Sequence, residues 1–207
     1  MANPLHDALF SPYEESDAVL LHLADGDTIT RKAFLQTASR MANALGAAGV
    51  SKGDRVAVHV PKSSAALALY AACIKAGAVF LPLNTAYTPS ELDYFVGDSG
   101  AALFVCDPGE LAAMESIVQS HGCALLTLGA DGHGSFADLA LDQSAEFAPV
   151  DREEGDLAAF LYTSGTTGRS KGAMLTHGNL LSNARALIET WRFTHQDVLL
   201  HALPIFH

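Results

Sequence analysis

Basic residues are scarce in this chain of 207 residues. It has 12 lysine and arginine residues against 23 aspartate and glutamate residues, which gives a formal net charge of −11. A general nucleic-acid-binding protein needs a basic face, so the composition argues against that class of partner. It does not exclude an anionic ligand, because a few local cations and oriented backbone amides can hold a phosphate inside an acidic protein.

Cysteine is also rare, and its spacing fits neither a disulfide framework nor a metal site. The chain has no Cys-x-x-Cys pair and no cysteine close to a cluster of histidines. We therefore predict buried free thiols and a protein of the reducing cytoplasm. The three cysteines are Cys73, Cys106 and Cys123.

Long hydrophobic runs are absent, although 49% of the residues are hydrophobic. Glycine, proline or charged residues interrupt every apolar run well before the roughly 20 residues that a membrane span requires. The segment from Met1 to Phe10 contains Asp7 and no basic region, so it does not have the pattern of a secretory signal. The sequence thus predicts a globular protein with no membrane partner.

Short apolar segments alternate with segments of helical periodicity, such as the one that contains Phe34 and Leu45 on one face. This alternation predicts an α/β fold of layered, mostly parallel sheets flanked by helices. Near the start, Val19 to Leu23 and Thr28 to Thr30 flank Asp25-Gly26 and predict a small hairpin. The predicted strands of the main sheet are Val56–Val60, Ala78–Leu83, Ala102–Cys106, Ala124–Leu128, Ala158–Thr163 and Val198–Leu203. The predicted helices are Lys32–Ala48, Ser64–Ala76, Ser90–Asp98, Leu111–His121 and Asn179–Trp191.

Two segments depart from this alternation. Residues 130–151 are rich in glycine and acidic residues, and we predict a loose surface excursion rather than a linker because strands resume directly after it. The last predicted strand, Val198–Leu203, is followed by only four residues, and nothing in the sequence covers it. We therefore expect a fragment of a longer protein, an incomplete portion of a larger domain.

The segment from Tyr162 to Gly172 is the strongest local signal for chemistry. An apolar strand leads into ten residues with three glycines, five hydroxyl side chains and two cations. Glycines let backbone N–H groups converge on phosphate oxygens, hydroxyls add donors, and cations add charge. Lys171 is the predicted catalytic cation, and Arg169 could instead point to solvent. The predicted nucleotide-binding residues are Thr163, Ser164, Gly165, Thr166, Thr167, Gly168 and Arg169.

This loop does not match the Walker A pattern of P-loop nucleotide hydrolases. Counting from Gly165, Ser170 stands where that pattern has glycine, and Gly172 stands where it has serine or threonine. This mismatch argues against the alternative that the chain is a P-loop hydrolase. A solvated loop with no ligand, in a non-catalytic nucleotide- or partner-binding fragment, stays open as another.

The loop resembles the signature phosphate loop of the adenylate-forming (AMP-binding) acyl-CoA synthetase superfamily. The resemblance continues through Ala173 to Leu180, which looks like the loop-to-helix continuation of that family. Three ordered stretches add to it: Gly53 to Ala57, Gly77 to Thr88, and Ala202 to His207. Several of these residues, together with Glu91–Phe95, Trp191–Thr194 and His201–Pro204, look most like malonyl-CoA synthetases.

The resemblance implies an acid–thiol ligase that uses ATP, Mg²⁺ and coenzyme A. Its substrate would be a small carboxylic acid, with malonate first and methylmalonate or a monocarboxylate as alternatives. His207 would line the substrate pocket, although a lone histidine after an apolar strand is more often structural. The resemblance also implies that residues 1–207 are part of an N-terminal AMP-binding domain. The family's segments for magnesium, ribose and the second lysine are expected beyond them, so these residues alone are predicted to be inactive.

Overall fold

The structure is a computed structural model that describes residues 2–163 and 170–206. Helices and strands alternate along the described chain, as the sequence predicts. The helices are α1 (Pro4–Leu9), α2 (Arg31–Ala47), α3 (Ser64–Ala76), α4 (Pro89–Ser99), α5 (Leu111–His121), α6 (Ser135–Leu141) and α7 (His177–Trp191). The strands are β1 (Val19–His22), β2 (Thr28–Thr30), β3 (Arg55–His59), β4 (Val79–Pro82), β5 (Leu103–Cys106), β6 (Ala124–Thr127), β7 (Leu157–Thr163) and β8 (Lys171–Thr176).

Within the described residues, six strands form the main sheet in the order β6-β5-β3-β4-β7-β8. The strands from β6 to β7 are parallel, and β8 runs antiparallel to β7. β1 and β2 form a separate antiparallel hairpin. The predicted α/β class and the predicted hairpin are therefore confirmed.

Helix ends follow local chemistry that is visible in the sequence. The Ser63 side chain caps α3 at its start, and Gly77 ends it with a φ of 68°, a left-handed conformation that glycine adopts without steric cost. At the start of α4, Thr88 and Glu91 cap each other's backbone groups in a capping box. Gly100 ends α4 in the same left-handed way, so this helix is fixed at both ends.

The core lies on both faces of the sheet, which explains why its strands are apolar without alternation. Helices α2, α3 and α6 cover one face, where Leu69 and Val58 are buried. Helices α4 and α5 cover the other face, where Phe95 and Phe104 are buried. Burial of α1 and α7 against α3 and β7 forms a third, smaller cluster that contains Leu5.

One predicted strand is wrong. Residues 198–203 form no strand, and the side chains of Val198 and Leu200 are 78% and 90% exposed. A strand is stabilised by backbone pairing with a neighbour, and no described strand pairs with this segment. Instead, the Lys62 ammonium donates hydrogen bonds to the carbonyl oxygens of His201 and Leu203.

Other differences concern elements that the sequence analysis did not predict. The segment 130–151 contains α6, whose Phe136 is fully buried, so it is more ordered than a loose excursion. Helix α1 was not predicted, and β8 was interpreted as the continuation of the loop. In the part of the chain that the structure describes, no helix has the length and apolar character to cross a membrane.

Candidate functional site

The predicted phosphate loop connects the two strands of the β7–β8 hairpin. Thr163, the last residue of β7, pairs with Lys171, the first residue of β8. The hairpin thus brings two of the predicted site residues together. The predictions for Ser164, Gly165, Thr166, Thr167, Gly168, Arg169 and His207 fall outside the described residues and stay predictions.

Thr163 and Lys171 are both exposed at the loop end of the hairpin. The Thr163 hydroxyl donates a hydrogen bond to the Lys171 carbonyl oxygen over 3.4 Å. No carboxylate in the described ranges forms an ion pair with the Lys171 ammonium, so its charge is available to an anionic ligand. The ammonium group suits phosphate oxygens, and the Thr163 hydroxyl could donate to them by giving up its long hydrogen bond to the Lys171 carbonyl oxygen.

The hairpin is packed tightly where Phe160 of β7 faces Gly172 of β8. A Cβ atom added to Gly172 would stand 2.2 Å from Cζ of Phe160, far inside van der Waals contact. Glycine is therefore required here by the close approach of an aromatic ring, one residue after the predicted catalytic lysine. The Phe160 ring in turn meets the Tyr162 ring edge-on, with 5.2 Å between centroids.

Helix α4 supports the hairpin from the side of the second core face. The Tyr162 ring stacks on the Phe95 ring with centroids 4.2 Å apart. The Tyr162 hydroxyl donates a 2.7 Å hydrogen bond to Oδ2 of Asp98. Burial, followed by the hydrogen bond and the charge of Asp98, raises the pKa of the Tyr162 hydroxyl well above its usual value of 10. Tyr162 therefore stays neutral and acts as a donor.

A second residue of α4 reaches the other side of the loop. The Tyr94 hydroxyl donates a 3.2 Å hydrogen bond to the carbonyl oxygen of Ser170, which directly precedes Lys171. The sequence analysis missed Tyr94 and Asp98, although their spacing on one helical turn is visible in the sequence. The sequence does not reveal that Tyr94 contacts Ser170 and that Asp98 contacts Tyr162.

The opposite face of the hairpin borders an apolar cavity of about 280 Å³. Leu161 faces it, because successive side chains of β7 point to opposite faces and Tyr162 faces α4. His201 is part of its lining, and no arginine or lysine of the described residues contributes. The cavity is lined by Tyr70, Phe80, Leu161, Leu175, Leu180, His201 and Ile205, among other residues.

His177, the first residue of α7, is a fully buried histidine next to the hairpin. Neither ring nitrogen has a hydrogen-bond partner among the described residues. Burial, together with the charge of Arg152, lowers the pKa of the ring from 6.5 to about 4, although the charge of Asp156 opposes this. The folded protein thus holds His177 as a neutral, packed side chain.

Because the folded state binds this proton more weakly than the unfolded chain, unfolding takes up a proton between about pH 6.5 and pH 4. We expect His177 to make the full-length protein about 3 kcal/mol less stable at the acid end of this window than at pH 7. Replacing His177 with leucine should flatten the fall of the unfolding free energy across that window, as measured by urea denaturation. His133→Leu, at a side chain that is 84% exposed, is the matched control. An unchanged pH dependence in His177→Leu would contradict the assignment.

Metal ligation by protein groups alone has no candidate in residues 2–163 and 170–206, where no group of three histidine, cysteine, aspartate or glutamate side chains could hold an ion. The hydrogen-bond donors at the loop end of the hairpin are instead the hydroxyl of Thr163 and the ammonium of Lys171. These groups fit a phosphate ligand rather than a bare divalent cation.

Comparison with known proteins gives a consistent family. The profile of the family described as AMP-binding enzyme matches residues 11–207. A feruloyl-CoA synthase of Amycolatopsis sp is 39% identical over 183 residues, which are 88% of this chain and 35% of the relative. The mitochondrial malonate–CoA ligase of Xenopus laevis is 34% identical over 155 residues, 74% of this chain and 26% of the relative.

Solved structures agree with this result. Apo MatB from Rhodopseudomonas palustris superposes with a TM-score of 0.95 at 49% identity, over 100% of this chain and 41% of that chain. ATP-bound MatB from the same organism gives a TM-score of 0.94 at 49% identity, over 99% and 41%. The present chain therefore spans well under half the length of these relatives. The family profile and these relatives confirm the predicted family: the chain belongs to the AMP-binding enzymes, the adenylate-forming acyl-CoA synthetase superfamily.

Proposed function

We propose that the full-length protein is an ATP-dependent acid–thiol ligase that converts a small carboxylic acid into its coenzyme A thioester. The observation that carries this proposal is the loop end of the β7–β8 hairpin. There Thr163 and Lys171 pair across the strands, and no described carboxylate neutralises the lysine. A cation that is left available beside a glycine- and hydroxyl-rich loop suits the phosphates of ATP.

The reaction of this proposal has two halves. The acid's carboxylate attacks the α-phosphorus of ATP and expels pyrophosphate, and the thiol of coenzyme A then displaces AMP from the acyl-adenylate. The carboxylate is already ionised at pH 7, so the first half needs no general base. It needs charge neutralisation and alignment of the attacking and leaving oxygens. Mg²⁺, when bound with ATP, would add charge neutralisation on the phosphate oxygens.

Lys171 is the proposed catalytic residue, with its ammonium on the β- and γ-phosphates. Thr163 and the predicted loop residues 164–169 would supply hydroxyl and backbone donors to the same phosphates. His207 would stand near the mouth of the acyl pocket. Residues of the protein beyond this chain would bind ribose, magnesium and coenzyme A.

Malonate is the proposed acid. The likeness of several sequence stretches to malonyl-CoA synthetases supports it, as does the similarity to a malonate–CoA ligase. A dicarboxylate leaves one carboxylate unreacted, and burying that anion without a partner would be costly. The site therefore needs a cation, for which a bidentate arginine is best suited.

Three of the described arginines already have partners within the fold. Arg31 lies over the Tyr13 ring at 4.3 Å, and Arg55 donates to the carbonyl oxygens of Ser99 and Gly100. Arg152 is buried with its Nε 3.3 Å from Asp156. We therefore propose that the arginine for the second carboxylate lies downstream of His207.

The full-length enzyme should show ATP–pyrophosphate exchange that depends on the acid, with kcat/KM for malonate at least about tenfold above that for acetate, butyrate or benzoate. An unpaired second carboxylate or an unpaired arginine costs more than one missing methylene, which is why the ratio should be large. Methylmalonate should come second. If a monocarboxylate gives the highest kcat/KM, malonate is the wrong acid, while acid-dependent exchange would still support the ligase.

The same assay separates the ligase from the other classes. A P-loop hydrolase would release phosphate without any acid, and a non-catalytic nucleotide-binding protein would give no exchange.

A cytoplasmic location is part of the proposal. It is supported by the three cysteines, which are buried free thiols.

A further inference from the structure

The C-terminal end of β7 extends beyond β4, the parallel strand that pairs with it on one side. β4 and β7 pair Phe80 with Ala159, so by count Pro82, the last residue of β4, stands beside Leu161. Tyr162 and Thr163 therefore project past β4. Proline also lacks the N–H group that could extend the pairing. On this side, the end of β7 that leads into the phosphate loop must be held by side chains.

The side chains that hold it come from one helix. Tyr94, Phe95 and Asp98 lie within five positions of α4, and we call these three residues the α4 contact face. Phe95 and Asp98 hold Tyr162, which precedes the loop, through a ring stack and a 2.7 Å hydrogen bond. Tyr94 holds Ser170, which follows the loop, through its carbonyl oxygen. The contact face thus reaches the chain on both sides of the loop.

Helix α4 is well suited to this role because it is anchored independently of the hairpin. Its capping box and its left-handed C-terminal glycine fix both ends, and Leu92 and Val96 are buried against the sheet. Sites that are positioned by packed helices are held more accurately than sites that depend on loops alone.

We propose that Tyr94 is a positioning residue for the adenylation reaction: by hydrogen-bonding the Ser170 carbonyl, it sets the direction in which Lys171 leaves the loop. Asp98 positions the chain on the N-terminal side of the loop in the same way, by accepting a hydrogen bond from Tyr162. This inference rests on the proposed function of Lys171. Its physical basis is that a displacement of about 1 Å in a positioned group can lower a rate as much as 10²-fold. The hydroxyl of Tyr94 contacts backbone, so it requires no particular side chain at Ser170.

The test compares Tyr94→Phe with Tyr87→Phe in the full-length enzyme. Tyr87 is the matched control, because its ring also packs on Phe95, with 4.8 Å between centroids, while its hydroxyl, unlike that of Tyr94, makes no hydrogen bond to Ser170. Tyr94→Phe should lower kcat/KM for ATP in the exchange assay by about threefold to tenfold, which is the value of one lost hydrogen bond. Tyr87→Phe should stay within about twofold, and the urea midpoints of both variants should match the wild type.

A double-mutant cycle distinguishes positioning from general stability. If Tyr94 acts through Lys171, adding Tyr94→Phe to Lys171→Ala should change kcat/KM by less than about twofold. An equal loss in both backgrounds would overturn the proposal, as would full activity of Tyr94→Phe.

The second flank has its own pair of variants. Asp98→Asn keeps an oxygen that can accept from Tyr162, whereas Asp98→Ala does not. We expect Asp98→Asn to retain most of the activity and Asp98→Ala to lose about threefold to tenfold. Equal activity of the two variants would overturn the role of Asp98.

Hydrogen exchange supplies a readout that does not depend on activity. In Tyr94→Phe, the peptide that contains Ser170 and Lys171 should exchange at least about threefold faster than in the wild type, and the same peptide should be unchanged in Tyr87→Phe. Faster exchange with normal kinetics would overturn the catalytic part of the proposal. If the wild-type enzyme shows no acid-dependent exchange of pyrophosphate, the proposed function fails, and the hydrogen-exchange rates alone decide whether Tyr94 holds the hairpin.

Discussion

Lys171→Ala should lower kcat/KM for ATP about 10²- to 10³-fold in the full-length enzyme, while the free energy of unfolding changes little. A cation that meets phosphate in a site closed to water contributes about 2.7–4 kcal/mol to transition-state stabilisation, which corresponds to this range of rates. In the described chain the side chain is exposed and pairs with no carboxylate, so the folded state gains little from it. The measurements are ATP–pyrophosphate exchange and urea denaturation of the same preparation.

Lys52→Ala is the control for this variant, since Lys52 is also exposed but lies in the turn between α2 and β3. It should keep normal kcat/KM. Lys171→Arg retains the charge in a different geometry and should recover only part of the lost rate. If Lys171→Ala unfolds at lower urea and the folded enzyme keeps normal kinetics, Lys171 is structural.

Gly172→Ala should destabilise the hairpin and lower activity together. The added methyl group would stand 2.2 Å from Phe160, so the ring or the strand must shift, and overpacking of this kind costs about 1–3 kcal/mol. A shift of β8 also moves Lys171, its direct neighbour, so we expect kcat/KM to fall at least about tenfold. Denaturation and exchange kinetics on one sample report both effects.

Gly155→Ala is the matched substitution, because nothing lies within 4 Å of the Cβ that it would add. It should be neutral or stabilising by about 0.5 kcal/mol, since alanine reduces the entropy of the unfolded chain. Combining Gly172→Ala with Phe160→Ala should restore part of the lost activity by making room for the methyl group. If the double variant is worse than either single variant, the contact between ring and glycine is not the cause.

Much of the fold could be predicted because its strands and helices carry local signals. The predicted strand Val56–Val60 corresponds to β3 at Arg55–His59, and the predicted helix Ser64–Ala76 matches α3 at both ends. Burial on both faces makes the centre of β3, Val56 to Val58, apolar without alternation, and Ser63 and Gly77 mark the ends of α3. In these regions, local preference and tertiary packing agree.

The elements that were missed or wrong depend on partners far away in the sequence. β8 is recognisable only through its pairing with β7, because it contains a glycine and an exposed methionine, Met174, in place of a regular apolar pattern. The segment 198–203 is apolar enough for a strand but has no described strand beside it.

The same limit applies to the candidate site. Glycines, hydroxyls and Lys171 identify the loop from the sequence, because they are consecutive. Tyr94 is 76 positions from Ser170, and Asp98 is 64 positions from Tyr162. Residues that position a loop from another element give no local signal, so only the folded structure reveals them.

The strand that follows the phosphate loop changes the electrostatics of the site. In a Walker A protein the loop runs straight into a helix, whose N-terminal dipole faces the phosphates. Here the chain first runs through the six residues of β8, which span roughly 20 Å, before α7 begins. A helix dipole acts only near its first turn. The positive end of α7 therefore lies at the opposite end of β8 from the loop, beside the neutral ring of His177 and near the charge of Asp156. In the proposed site, the phosphate charge would be left to Lys171 and the loop.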